Sequence, residues 1–212
     1  MSGNTSATGG YIIEIPPGPP TGEQITAALQ ATVRALTGLP GNLVRPRWQP
    51  MPPTQPDAGV TWASVGTTHM EADDYPVITH DGLAQLVGAP GPGVDRMTRH
   101  VTITAVVTFY GPEAEDVAGT FRDAFYVQQN WEPLHVLGLN MREVADLARA
   151  PELINQQWID RIDIKLEMRG QLTRVYPVLN LDGADVVIHR PNADGSVTDT
   201  SVSVRETTAT RP

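Results

Sequence analysis

The chain has 212 residues, with 15 basic and 24 acidic side chains, a formal charge of −9 and no cysteine. Without cysteine there is no disulfide framework, zinc ribbon, iron–sulfur cluster or thiol nucleophile. The acidic balance, with Lys165 the single lysine beside 14 arginines, argues against a sequence-independent grip on DNA. No run approaches the roughly 20 apolar residues that span a bilayer, and residues 1–10 lack the basic and apolar regions of a secretory signal, so a soluble protein of a reducing compartment is expected.

In chain order, ten of the 19 prolines fall within the first 60 residues. Ile15-Pro16-Pro17-Gly18-Pro19-Pro20 suits neither helix nor central strand, because proline lacks an N–H and fixes φ. Residues 1–21 therefore read as an extended arm, with a short β-prone stretch at 11–15. Thr21 followed by Gln24 has the capping-box spacing. Ile25, Ala28, Leu29, Val33 and Leu36 then share one stripe, and Gly38 and Pro40 close a first helix. Thr32 interrupts the stripe, but its hydroxyl can bond a carbonyl one turn back. Residues 40–60 read as ordered loop or edge strand and 59–70 as a strand anchored by Val60, Trp62 and Val65. Residues 71–92 read as a long loop with a short strand at 75–79.

Residues 98–110 form the clearest strand: Val101, Ile103, Ala105, Val107 and Phe109 alternate with a threonine-lined face. Gly111 stops it, Pro112 is placed as the first helical residue, and Glu113, Glu115 and Asp116 load the next helix's first turn with negative charge. Val117, Ala118, Phe121, Ala124 and Phe125 form that helix's stripe, which ends near Asn130. A short strand is expected at 134–139 and a third helix at 141–150, stopped by Pro151. A second long strand is expected from 158 to 169, continuing to Tyr176. In it Ile162, Ile164, Leu166 and Met168 alternate with Arg161, Asp163, Lys165, Glu167 and Arg169. Trp158 is expected in the core with Phe121. Residues 184–189 and 196–198 flank a turn at Pro191-Asn192-Ala193-Asp194-Gly195, a hairpin signal, and 199–212 reads as a tail. The whole is a single α+β domain.

Chemistry-bearing motifs are few. His69, His80, His100, His135 and His189 form no H-E-x-x-H or H-x-H pattern. Glu71-Ala72-Asp73-Asp74, near His69, His80 and Asp81, is the most metal-like cluster, but it lacks the spacing of a calcium loop and reads as a solvated acidic loop. Gly88-Ala89-Pro90-Gly91-Pro92-Gly93 has no Lys-Ser/Thr after it and is no phosphate loop. Asp160 and Asp163 read as cross-strand ion-pair partners rather than an acid/base pair. The suggestive features concern assembly. Arg45, Arg47 and Trp48 form an arginine–tryptophan cluster of the kind that anchors interfaces, and Arg161, Lys165 and Arg169 lie on a fully charged strand face. These six are the candidate assembly-interface residues.

Three segments also carry a resemblance. They are Val44-Arg45-Pro46-Arg47-Trp48-Gln49-Pro50; Phe109-Tyr110-Gly111-Pro112-Glu113-Ala114, followed by a helix with Arg122-Asp123 that closes on Gln128-Gln129-Asn130; and Trp158-Ile159-Asp160-Arg161-Ile162-Asp163, running to Arg174-Val175-Tyr176-Pro177-Val178. In this order they resemble the neck or tail terminator proteins of tailed bacteriophages, over residues 22–180, leaving an arm before and a hairpin and tail at 181–212. The resemblance implies a mixed, mainly antiparallel sheet flanked by two to three helices. It implies a virion structural protein at the tail–neck junction, not an enzyme and without a cofactor. Such proteins form a ring, usually a hexamer, that caps the tail tube, ends its polymerisation and joins it to the head connector. The implied partners are further copies of the chain, the tail tube protein, a sheath protein in a contractile tail and the neck connector proteins. DNA would only pass through the lumen, no membrane is involved, and assembly takes place in the host cytoplasm. The −9 charge of each copy would keep DNA from sticking. The alternatives are a head–tail stopper or adaptor and, from another class, a glycan-binding module of a virion appendage using exposed Trp48, Trp62, Trp131 or Trp158.

Overall fold

A computed structural model describes residues 11–49, 51, 53–84, 93–154, 156–179 and 183–205. Helix α1, Gly22–Thr37, begins as its capping box dictates. The Thr21 hydroxyl accepts from Gln24 N at 3.2 Å, and the Gln24 side chain accepts from Thr21 N at 2.8 Å. Gly38 ends it in the left-handed conformation, φ +71°. Thr32 is accommodated by the bond its hydroxyl donates to the Ala28 carbonyl, 3.0 Å. The stretch before α1 forms no strand among its described residues; Ile15 N donates to the Val175 carbonyl at 2.8 Å.

The strands follow as β1 (Val44–Pro46), β2 (Trp62–Ala72), β3 (Val77–Asp81) and β4 (Val94–Tyr110), then helices α2 (Ala114–Phe125) and α3 (Gln128–His135). After them come β5 (Leu139–Val144), β6 (Ala148–Arg149), β7 (Glu152–Ile154), β8 (Gln157–Ile159) and β9 (Arg161–Pro177), and last β10 (Gly183–Pro191) and β11 (Val197–Arg205). The main sheet runs β1-β2-β4-β9-β5, with β3 also on β4 and β6 on β9. β1 pairs parallel with β2, while β2 with β4 and β5 with β9 are antiparallel. Side-chain bonds Thr98–Thr173, Arg169–Thr102 and Thr108–Asp163 descend one strand as they climb the other, so β4 and β9 are antiparallel too. This is the α+β class expected, with three helices and a mostly antiparallel sheet.

One face of the sheet makes the core. Val101, Ile103, Ala105, Val107 and Phe109 of β4 and Ile162, Ile164, Leu166 and Met168 of β9 are all buried. Ile25, Leu29 and Val33 of α1, Ala118, Phe121 and Phe125 of α2 and Leu134 of α3 pack into the same cluster. Phe121 lies between Phe109 and Phe125, at ring distances of 5.7 and 5.3 Å. Gly111, at φ +102°, joins β4 to α2 where a Cβ would stand 2.6 Å from the Val60 carbonyl oxygen. Only glycine meets both demands.

Several local expectations are corrected. Pro112 lies in the turn before α2, whose N-cap is Glu113. The second helix ends at Phe125, where the Asn130 side chain donates to the Ala124 carbonyl at 2.7 Å. A separate helix, α3, then runs to His135 and a turn follows, so of the strand expected at 134–139 only Leu139, the first residue of β5, is strand. The helix expected at 141–150 is instead β5 and β6. A bulge between Met141 and Glu143 shifts the strand's parity, so Leu139, Met141 and Val144 face the core at a spacing that imitates a helix. Trp158 belongs to the small β7–β8 pair, outside β9, and is 72% exposed rather than core. The expected tail at 199–212 is strand β11 as far as Arg205; the rest lies outside the described residues.

The chain gathers into a main unit, Ile15–Ile78 with Arg96–Val175, and a smaller one whose described residues are 11–14, 79–84, 93–95, 176–179 and 183–205. The smaller unit holds the β10–β11 hairpin, turned by Gly195 at φ +82°. In the hairpin Val186 faces Val202 across the pair and His189 faces Asp199.

Candidate functional site

With α1, α2 and α3 on one side of the main sheet, alternation sends the other set of side chains to the opposite side. Trp62, Ser64 and Gly66 of β2 lie there with the threonines and Tyr110 of β4 and the five charged residues of β9. The sheet register places Trp62 opposite Tyr110. Their rings stack at 4.2 Å with 10° between planes. The Arg45 guanidinium stands 5.7 Å from the Trp62 ring centre and that of Arg161 stands 5.9 Å from Tyr110. Two arginines thus bracket a stacked aromatic pair, each within cation–π range.

The chain after β1 builds the wall of this site. Arg47 N donates to the Val65 carbonyl, extending the β1–β2 ladder by one bond. Trp48 then lies against Gly66, where a Cβ would meet its ring at 3.1 Å and Arg47 Cβ at 3.0 Å. The missing side chain is what lets this segment lie flat on β2. The result is an open groove of about 630 Å³, lined by Arg45, Arg47, Trp48, Trp62 and Tyr110 with Pro53 and Gln55 at its rim.

Beneath the groove runs a polar relay. Arg47 Nη1 donates to the Thr108 hydroxyl at 2.8 Å, and that hydroxyl donates to Asp163 Oδ1 at 2.7 Å. Arg161 grips Asp163 through Nε at 3.2 Å and Nη2 at 2.9 Å and reaches Glu152 at 3.3 Å. The bond to Asp163 holds the Arg161 guanidinium charge more firmly than usual. Burial pushes the Tyr110 phenol up, with Arg161 pulling the other way.

The structure therefore joins Arg45, Arg47, Trp48 and Arg161 into one constellation. Lys165 and Arg169 share its face farther along β9 but have their own partners. Lys165 pairs with Glu167 at 2.6 Å, and the hydrogen bond and charge of its ammonium hold the Glu167 carboxyl below its usual range. Arg169 pairs with Asp73 at 2.7 Å and bonds Thr102. The ion pair expected of Asp163 across strands thus runs along β9 instead, to Arg161 at i, i+2 spacing, as does that of Lys165 with Glu167, and Asp160 has no ion pair among the described residues. Arg45 and Arg47 differ from the rest: Arg45 bonds only the Asn42 and Thr54 carbonyls, Arg47 only Thr108, and neither meets a carboxylate among the described residues.

Sequence reading missed Tyr110, Thr108 and Gly66, and offered Trp62 only as a strand anchor and as part of a glycan platform, not as a partner of the arginine cluster. The signal present was the single glycine in a β-prone run, which marks a close backbone approach. In the acidic stretch at 71–74, Asp73 is committed to Arg169, and no group of three candidate metal ligands occurs among the described residues.

The chain matches the model of the phage neck terminator protein family over residues 23–192. It belongs to this family. Membership makes it a structural protein of the virion neck that works in contact with other neck or tail proteins. The family match continues past residue 180 into β10 and the turn after it. No curated protein matches the chain. Among the described residues, no helix is long and apolar enough to cross a membrane.

Proposed function

We propose that this neck terminator acts as a ring. Six copies close around the head-proximal end of the tail tube, stop its polymerisation and offer the docking surface for the head connector. The genome passes through the lumen without being retained. The partners are then other copies of the chain, the tube protein, a sheath protein where the tail contracts and the connector proteins, with assembly in the host cytoplasm. The observation that carries this reading is the groove's pair of arginines, without carboxylate partners among the described residues, on the sheet face that none of the described helices covers. Unpaired cations over exposed aromatics are the chemistry of a contact surface, and arginine and tryptophan dominate interface energetics. Arg45, Arg47, Trp48 and Arg161 form its centre and Lys165 and Arg169 its flank. No step in this role needs a catalytic group or cofactor.

Electron microscopy of the purified chain with isolated tail tubes tests it. Six-fold rings seated on one end of the tubes are expected. Arg45→Glu should leave the monomer folded by circular dichroism and remove the rings. A strict monomer that never caps tubes overturns the reading.

A further inference from the structure

The groove's occupant can be sought on this chain's own surface. Two unpaired arginines beside stacked aromatics, with Pro46 and Pro53 in the lining, call for a short segment carrying a carboxylate, an aromatic ring and a proline. The turn between β2 and β3 presents that set: Asp74, Tyr75 and Pro76. Tyr75 is 88% exposed, and neither its ring nor the Asp74 carboxylate has a partner among the described residues. Exposure of a large aromatic at a turn is the kind of apolar surface that marks contact sites.

The base of this tip is held firmly. Asp73 N donates to the His100 carbonyl at 3.0 Å, the Asp73 carbonyl accepts from Arg99 at 3.1 Å, and the Asp73 carboxylate accepts from Arg169 at 2.7 Å. Asp73 is thereby tied to β4 and β9, and the next three residues project from it. Anchoring of this kind reduces the ordering cost of binding. Arg169, placed with the assembly residues for its charge, acts here by positioning the tip.

Groove and tip belong to the same compact unit and to opposite ends of one strand. Trp62 opens β2 in the groove and Ala72 closes it beside the tip; at about 3.3 Å per residue the two lie about 30 Å apart. That distance forbids the tip from filling its own groove. It suits a head-to-tail contact, in which unlike patches of successive copies meet and the series closes into a ring. We infer that the Arg45–Arg47–Trp48 groove of each copy receives the Asp74–Tyr75–Pro76 tip of the next. The inference rests on the ring reading and names the contact that builds it.

Native mass spectrometry of three full-length preparations tests the contact: wild type, a groove variant Arg45→Glu/Arg47→Glu, and a tip variant Asp74→Arg/Tyr75→Ala. Each variant alone should need at least about tenfold more protein to assemble, the loss of a central interface anchor. Mixed one to one, they should form a dimer and nothing larger, because each retains the half that the other lacks. Either variant assembling as wild type does, or a mixture without the dimer, overturns the contact while wild-type rings leave the ring reading standing. Wild type that neither assembles nor caps tail tubes sinks both. A groove variant that loses tube capping while the tip variant keeps it overturns the copy-to-copy contact in favour of another neck protein as occupant. The tip variant alters only exposed side chains, so it decides the matter even if the groove variant folds poorly.

Discussion

Thr108→Val isolates the relay beneath the groove. The Thr108 hydroxyl is fully buried, accepts from Arg47 and donates to the Asp163 carboxylate. Valine has nearly the same volume, so no cavity opens, and the cost is that of two hydrogen bonds to charged groups. Each such bond contributes about 1.5–3 kcal/mol when intact. The loss is partly offset, because Asp163 keeps its two-pronged bond to Arg161 and Arg47, only half-buried, regains water. A net destabilisation of about 2 kcal/mol remains, which lowers Tm by about 4–8 °C in a chain of this length. Thr104→Val supplies the control: it makes the same replacement on the same face of β4, where no hydrogen bond from the hydroxyl is found among the described residues, so its effect should stay within about 0.5 kcal/mol. Thermal unfolding followed by circular dichroism measures both. Equal shifts for the two valines would refute the claim that the relay holds the groove's floor.

Phe121→Ala empties a fully buried site between two other phenylalanines and should cost about 3–5 kcal/mol by denaturant titration, whereas Trp158→Ala, on a side chain 72% exposed, should fall within about 0.5 kcal/mol. Gly111→Ala adds a Cβ at 2.6 Å from a backbone oxygen at a φ of +102°; a loss of more than about 2 kcal/mol is expected, and a soluble variant with wild-type Tm would show that the turn relaxes freely. The Tyr110 phenol is raised from its ordinary 10.0, chiefly by burial. The folded chain then holds this proton more tightly than the unfolded one, so its contribution is complete below the unfolded pKa and is lost as pH rises through the folded one. Tyr110→Phe should therefore show a shallower alkaline fall in Tm than wild type, and identical falls would contradict that.

Legibility in the sequence followed the range of the interactions involved. Helix α1 was readable to its cap because Thr21, Gln24 and Gly38 act within a few residues of one another. β4 and β9 were readable because strict alternation survives along most of their length. β5 was not, since its bulge converts a period of two into a false helical spacing. The arginine–tryptophan cluster stood out locally, but its partners did not. Trp62 meets Tyr110 only through the β2–β4 register, and Thr108 meets Asp163 only through β4–β9 pairing. Gly66 carried a cue without an address, because the ring that needs its missing Cβ arrives from the β1 side.

The distribution of charge on the open sheet face bears directly on assembly. Burying an unpaired carboxylate in an interface costs several kcal/mol, so a contact face must keep its acids paired or elsewhere. On this face Asp163, Glu167 and Asp73 are each bound to an arginine or lysine. Around α2 the acids are more numerous: Glu115 pairs with Arg149 and Asp123 with Arg122, while Glu113 and Asp116 have no cation partner among the described residues. The open face is left with two unpaired arginines at one end of β2 and, at the other, Glu71 opposite Thr102 and Asp74 just beyond the strand, neither with a cation partner among the described residues. A face neutral along its length and charged oppositely at its ends pairs best with a copy of itself shifted end to end. The same charges oppose a two-fold dimer, since groove against groove or tip against tip brings like charges together.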